Sequence, residues 1–294
     1  WLKHPSIREA TDFVTIHILP YWEDDTMNIE KAIAHLAEKR AEVENELKTS
    51  NILIGETGWP SEGRMREDAL PSKTNQAIFV RDFVKLAQDN NWNYNIIEAF
   101  DQPWKRVSEG AVGGYWGLFD KDRLDKNVFA GDVSDFPNYK YLGLGSLLLI
   151  FGFSFLLKNS NISTKKVVLF SFINTIFAVL YMLQMEQFNI TVRSSGEVVW
   201  ATLVLLTHLA IYYFVLLNIA KESKPKIVGI REILTNKIFN VDTLPMILFY
   251  SSFIFVLIST IILAFEGRYR NFEIYIFAIS AISFVLLYGR RFAN

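Results

Sequence analysis

Five long apolar stretches, at residues 142–157, 167–184, 198–219, 245–265 and 272–288, decide what the second half of this chain can be. A helix rises about 1.5 Å per residue, so roughly 20 residues cross the hydrocarbon core of a bilayer. The shorter stretches reach that length once their flanks are counted. One such segment is compatible with a buried soluble helix; five in succession are not, and residues 136–294 are expected to be a polytopic membrane unit of five helices. Lys158, Lys165 and Lys166 fall in its first loop, Lys221, Lys224, Lys226, Arg231 and Lys237 in its third, and Arg290 and Arg291 in the tail. The opposite side holds Arg193, Arg268 and Arg270. Positive charge collects on the cytoplasmic side, which places the C-terminus inside a cell membrane and residues 1–140 in the periplasm or at the cell exterior. Asn174 and His208 are the polar exceptions within the spans, read as interhelical hydrogen-bonding groups instead of a proton relay. The helices read as an anchor in lipid or a docking surface for partners.

Residues 1–135 are a different material, rich in charge, so the net charge of −1 averages two unlike halves. No basic patch with interleaved aromatics is present, which argues against nucleic acid. The chain has no cysteine, excluding disulfides and thiolate metal sites. His4, His17, His35 and His208 lack metal-ligand spacing, and neither a metal nor a cofactor is expected.

Apolar β-branched runs predict strands at 12–19 (DFVTIHIL), 51–55 and 93–100. Between them fall two amphipathic segments. The first, 28–48, carries a stripe of Ile29, Ile33, Leu36, Val43 and Leu47, with Asp25 or Thr26 as its cap. The second, 73–90, turns Ile78, Phe79, Phe83, Val84 and Leu86 inward. Strand, helix, strand, helix, strand is the order of parallel βα units. Three strands do not close a barrel, and an open parallel sheet needs both faces covered. In a βα barrel the chemistry stands at the C-terminal strand ends. There the sequence places Tyr21, Trp22 and Glu23, then Glu56 and Trp59, then Glu98, Asp101, Gln102, Trp104 and Lys105. Carboxylates beside tryptophans suit a sugar, whose C–H faces stack on rings while acids and amides bond its hydroxyls. Glycoside hydrolysis needs two carboxylates, and Glu56, where a buried run meets a Trp-Pro turn, is the first candidate.

The stretch Glu56-Thr57-Gly58-Trp59-Pro60-Ser61 resembles the nucleophile signature of glycoside hydrolase family 17, β-1,3-glucan enzymes built on a (β/α)8 barrel. Residues 13–22 are similar to the family's strand six, with His17 where asparagine is more usual. Phe100-Asp101-Gln102-Pro103-Trp104-Lys105 is similar to its strand eight, with Gln102 for a frequent glutamate, and Tyr115-Trp116-Gly117-Leu118-Phe119 to a downstream element. The likeness covers roughly residues 10–122. It implies that residues 1–135 are the C-terminal part of a TIM barrel, strands six to eight, with Glu56 the nucleophile of a retaining mechanism. The Gly-Asn-Glu-type motif that would carry the general acid/base does not occur, so the chain is expected to begin mid-barrel and, alone, to be inactive.

The expected ligand is a β-glucan polysaccharide or oligosaccharide. Lys105 is either the cation beside Glu56 or a surface lysine; Tyr21 is expected to bond sugar. Trp59, Trp104 and Trp116 are either stacking platforms or rim packing. Glu98 and Asp101 are further candidate contacts. Membrane-attached bacterial proteins with such domains resemble glucan-processing transferases, and hydrolysis and transglycosylation share one nucleophile. A non-catalytic glucan-binding subunit, working with other components of glucan synthesis, is the alternative. A nucleotide-sugar glycosyltransferase would need larger cytoplasmic loops than these.

Overall fold

The computed structural model describes residues 1–222, 226–236, 242–267 and 274–292. Lys224, Lys237, Arg268 and Arg270, the start of the fifth apolar stretch, and the side chains of Arg290 and Arg291 lie outside the described residues. The chain divides into two units, Trp1–Phe136 and Pro137–Asn294.

In the first unit, strand β1 (Val14–His17) leads to helix α1 (Ile29–Leu47), β2 (Ile52–Thr57), α2 (Lys73–Asp89) and β3 (Asn93–Ile96). A single turn, α3 (Arg106–Glu109), follows. The strands are parallel and adjacent in chain order, β1-β2-β3. With right-handed crossovers, sequential neighbours send both helices to one face of the sheet. That is the winding of a βα barrel and not of a doubly wound sheet. One core cluster accordingly joins Val14, Ile52 and Ile54 to Leu36 of α1 and to Phe79 and Phe83 of α2. The other sheet face carries Thr15, His17, Leu53 and Gly55, none of them buried.

Helix α1 starts on Asn28, whose side chain accepts from Lys31 N–H at 3.1 Å, a strong N-cap residue. Asp25 and Thr26, expected there, do not cap it; the Thr26 hydroxyl donates instead to Arg66 C=O at 3.2 Å. In α2 the buried stripe is Gln76, Phe79, Val80, Phe83 and Ala87, spaced three and four apart. Ile78 falls off that stripe and is exposed. Strand β3 is also shorter than expected: pairing with β2 stops at Ile96, and Phe100 makes a separate, isolated parallel bridge to Phe119.

In the second unit, helices α4 (Tyr139–Ser154, continued by a 3-10 turn to Leu157), α5 (Thr164–Thr191), α6 (Ser195–Lys221) and α8 (Leu244–Phe265) are long and apolar enough to cross a bilayer. Between α6 and α8 lies a short helix, α7 (Ile230–Asn236), which the apolar pattern did not announce. The fifth expected span is shorter, a 3-10 turn at Ile274–Phe277 running into α9 (Ala278–Phe292). Interhelical polar contacts tie the bundle. Asn174 Nδ2 donates to Ile150 C=O at 3.0 Å, and the Tyr212 hydroxyl donates to Asn174 C=O at 2.9 Å. His208 Nδ1 lies 2.8 Å from Gln184 Nε2, and the Ser252 and Ser280 hydroxyls lie 2.8 Å apart. Polar side chains bridging helices in this way are a common adhesive in lipid, where apolar contact alone drives little association.

Candidate functional site

At the C-terminal end of the sheet the ladder slips by one residue. Ile16 pairs with Ile54, but His17 pairs with Glu56, leaving Gly55 as an extra residue in β2. The β2–β3 ladder shows the same insertion, with Ile54 on Tyr94 and Thr57 on Ile96. Strict alternation would put Glu56 on the helix face with Ile52 and Ile54. The extra residue instead buries Thr57 completely and turns Glu56 to the uncovered face, its side chain 44% exposed. His17 Nδ1 lies 3.2 Å from Glu56 Oε2.

Beside it the chain leaves β3 through a cis Ile97–Glu98 peptide. Glu98 Oε2 accepts from Gln102 Nε2 at 2.5 Å and from Lys105 Nζ at 2.6 Å. Lys105 therefore pairs with Glu98, a partner that neither reading of it, as cation beside Glu56 or as surface lysine, had named. Both ends of this pair sit in the first turns after β3, where a four- and a seven-residue separation bring them together. Trp104 stands next to them with its ring exposed. Glu109, at the end of α3, completes the group. Partial burial pushes its carboxyl above the ordinary carboxylate range, Lys105 opposes, and the charges of Glu98 and Glu56 push it further up.

The other expected sugar contacts face inward. Tyr21 and Trp59 are fully buried and Trp116 nearly so. The Tyr21 ring meets Trp59 and Trp116 edge-on, at centroid distances of 6.4 and 6.0 Å. Its hydroxyl donates to Arg64 C=O at 2.6 Å, and burial raises its pKa. Trp59 Nε1 donates to Leu70 C=O at 3.1 Å. These rings form a plug under the strand ends, with the Tyr21 hydroxyl and the Trp59 indole N–H already supplied with acceptors, as buried polar tips require. Trp22, stacked on Trp116 at 6.5 Å, is the member of this group that is only half-buried. Asp101 is likewise occupied. It accepts from Gly117 N–H at 2.8 Å and pairs with Lys126 Nζ at 3.1 Å, both side chains being about nine-tenths buried. A Cβ on Gly117 would fall 2.0 Å from Asp101 N, so only glycine lets the two segments close.

Residues 1–117 match the family model described as the BtgE/BtgC glycoside hydrolase domain. The glucan 1,3-β-glucosidase of Saccharomyces cerevisiae is 32% identical over 122 residues, 39% of this chain and 38% of that protein. The N-terminal unit is thus similar to β-1,3-glucan glycosidases. The glucan 1,3-β-glucosidase of Candida albicans is 26% identical over 129 residues, 40% of each protein. The chain thus spans less than half the length of these relatives. A glycoside hydrolase family 17 β-1,3-glucanosyltransferase from Rhizomucor miehei overlaps 43% of this chain and 46% of its own, at 26% identity and a TM-score of 0.39. That overlap is too partial to carry an argument.

Within the first unit, sequence reasoning missed three residues. His17 stood out only as a departure from asparagine. Glu109 ends a four-residue turn just before Gly110, with no periodicity to mark it. Lys126 lies 25 residues from Asp101 in an irregular segment, and no local pattern joins them. Period-two reading of β1 does put His17 on the face opposite Val14 and Ile16, so one signal for it was present.

Proposed function

We propose that the first unit is the closing part of a (β/α)8 barrel, strands six to eight, and that it acts on β-1,3-glucan by a retaining mechanism with Glu56 as nucleophile. The observation that carries this reading is the placement of Glu56: at the C-terminal end of the middle strand, on the face away from the helices. Glu98, Lys105 and exposed Trp104 follow the next strand. The Glu56 carboxylate attacks the anomeric carbon and forms an ester as the glycosidic C–O bond breaks. The departing oxygen takes a proton from a second carboxylic acid. Water or a sugar hydroxyl then attacks the same carbon, releases Glu56 and returns a proton to that acid. Hydrolysis and transglycosylation differ only in which acceptor arrives. Trp104 supplies an apolar face for a sugar ring, and the Glu98–Gln102–Lys105 group supplies polar contacts.

The intact protein that carries this chain is expected to convert reduced laminari-oligosaccharides into products with the β configuration at first appearance, read by proton NMR. Longer oligosaccharides in the mass spectrum would identify transfer. Binding of the oligosaccharide without turnover would instead favour a non-catalytic glucan-binding subunit.

The second unit holds this domain at a membrane, in our reading with the first unit outside the cytoplasm. Outward side chains on α4 (Leu147, Leu148, Phe151) and α8 (Phe253, Ile254, Leu257) are exposed, an apolar surface that water does not tolerate at this extent. Cysteines placed at Asn159 and at Val192, in the loops that flank α5, test the sidedness. In intact cells Val192→Cys is expected to react with an impermeant maleimide and Asn159→Cys to be protected until the membrane is opened. The reverse labelling would invert the topology.

A further inference from the structure

We infer that His17 is the positioning residue of Glu56, and that the extra residue Gly55 is what sets the two side by side. The inference rests on Glu56 being the nucleophile. Without the register shift, His17 would face Gly55 and Glu56 would point into the helix layer with Ile54. With it, the imidazole Nδ1 comes within 3.2 Å of Oε2. The space for the ring comes from the glycine. A Cβ on Gly55 would fall 2.5 Å from Thr15 Cγ2 and 3.0 Å from His17 Nε2, so any side chain there drives the imidazole away. Bulges that re-aim a side chain beside a site are a recurrent device. Lys105, one candidate cation for the nucleophile, is paired with Glu98.

A pair whose side chains are 52% and 44% exposed adds little to folding stability. What it does is geometric. Contact at Oε2 fixes the carboxylate's rotation and leaves Oε1 as the oxygen presented to the anomeric carbon. An attacking atom misplaced by about 1 Å costs on the order of 100-fold in rate, without a matching cost in substrate affinity.

The test is a kinetic series on the intact protein with reduced laminari-oligosaccharides. His17→Ala is expected to lower kcat by about 10- to 100-fold while KM and the melting temperature stay near wild type. His17→Asn, whose amide N–H reaches toward the same oxygen, is expected to restore most of the loss. Gly55→Ala should reproduce the His17→Ala defect, and wild-type turnover there would overturn the part given to the glycine. Unchanged kcat in His17→Ala, a change confined to KM, or a loss that His17→Asn fails to repair would overturn the positioning role. Glu56→Gln in the same series separates the two layers. If it remains active the nucleophile assignment has failed; if it is inactive and His17→Ala is not, only the positioning inference has.

Discussion

Replacing Glu56 with glutamine is expected to abolish glucan turnover in the intact protein, by on the order of a thousand-fold or more, while leaving the fold as it is. An amide oxygen is a poor nucleophile and cannot form the glycosyl ester on which both hydrolysis and transfer depend. The side chain is nearly half exposed, and its recorded contact is the His17 imidazole, so little packing is lost with the charge. Circular dichroism and the melting curve should therefore match wild type. Turnover within tenfold of wild type would remove Glu56 from the mechanism. An external nucleophile gives a sharper control with Glu56→Ala. Azide admitted into the vacated space should restore cleavage of an activated glucoside and yield the α-azide, which a carboxylate serving only to bind sugar would not produce.

The largest stability effect is expected from Lys126→Met. The ammonium donates to Ser61 Oγ at 2.8 Å and Gly117 C=O at 2.7 Å, and it lies 3.1 and 3.3 Å from the two Asp101 oxygens. Burial raises the Asp101 carboxyl and lowers the Lys126 ammonium, each partly offset by its partner. Both shifts carry one message: leaving water costs each charge more than the other returns. Such a pair adds little net stability compared with apolar packing, yet removing one member strands the other, at a cost of about 3–5 kcal/mol. All the tryptophans except Trp200 lie in the first unit, so denaturant titration followed by tryptophan emission reports on it. The double variant Asp101→Asn/Lys126→Met should recover a large part of the loss. A penalty under about 1 kcal/mol in the single variant would mean that water or a proton reaches Asp101 freely.

These two residues mark where sequence was informative and where it was not. Glu56 was legible because a buried run, a carboxylate and a Trp-Pro turn are consecutive, and local order suffices to place them. The helices were legible for the same reason, through spacings of three and four. The ion pair of Asp101 was not legible because its partner, Lys126, is distant along the chain. Nothing within several residues of either side chain tells a sugar-binding acid from one held in an internal ion pair. Tyr21, Trp59 and Trp116 show the same difficulty from the apolar side. A ring at a strand end can stack on a ligand or on another ring, and only the three-dimensional arrangement, with Arg64 and Leu70 carbonyls already waiting for the hydroxyl and the indole, decides between them. Lys105 turned to Glu98 because a local turn outcompetes a contact across strands, a preference that closure entropy favours.

The single inserted residue in β2 has a wider bearing. On one side of Gly55 the strand is written in one phase, with Ile52 and Ile54 turned to the helices; on the other side it is written in the opposite phase, with Thr57 taking that role. Which compartment of the fold a carboxylate serves is thus settled here by counting, as in a reading frame, and not by the chemistry of the side chain. An alignment that scores this strand by hydrophobic alternation alone would assign Glu56 to the interior layer and lose the residue proposed as nucleophile. Deleting one glycine, which removes no functional group at all, would do the same to the molecule.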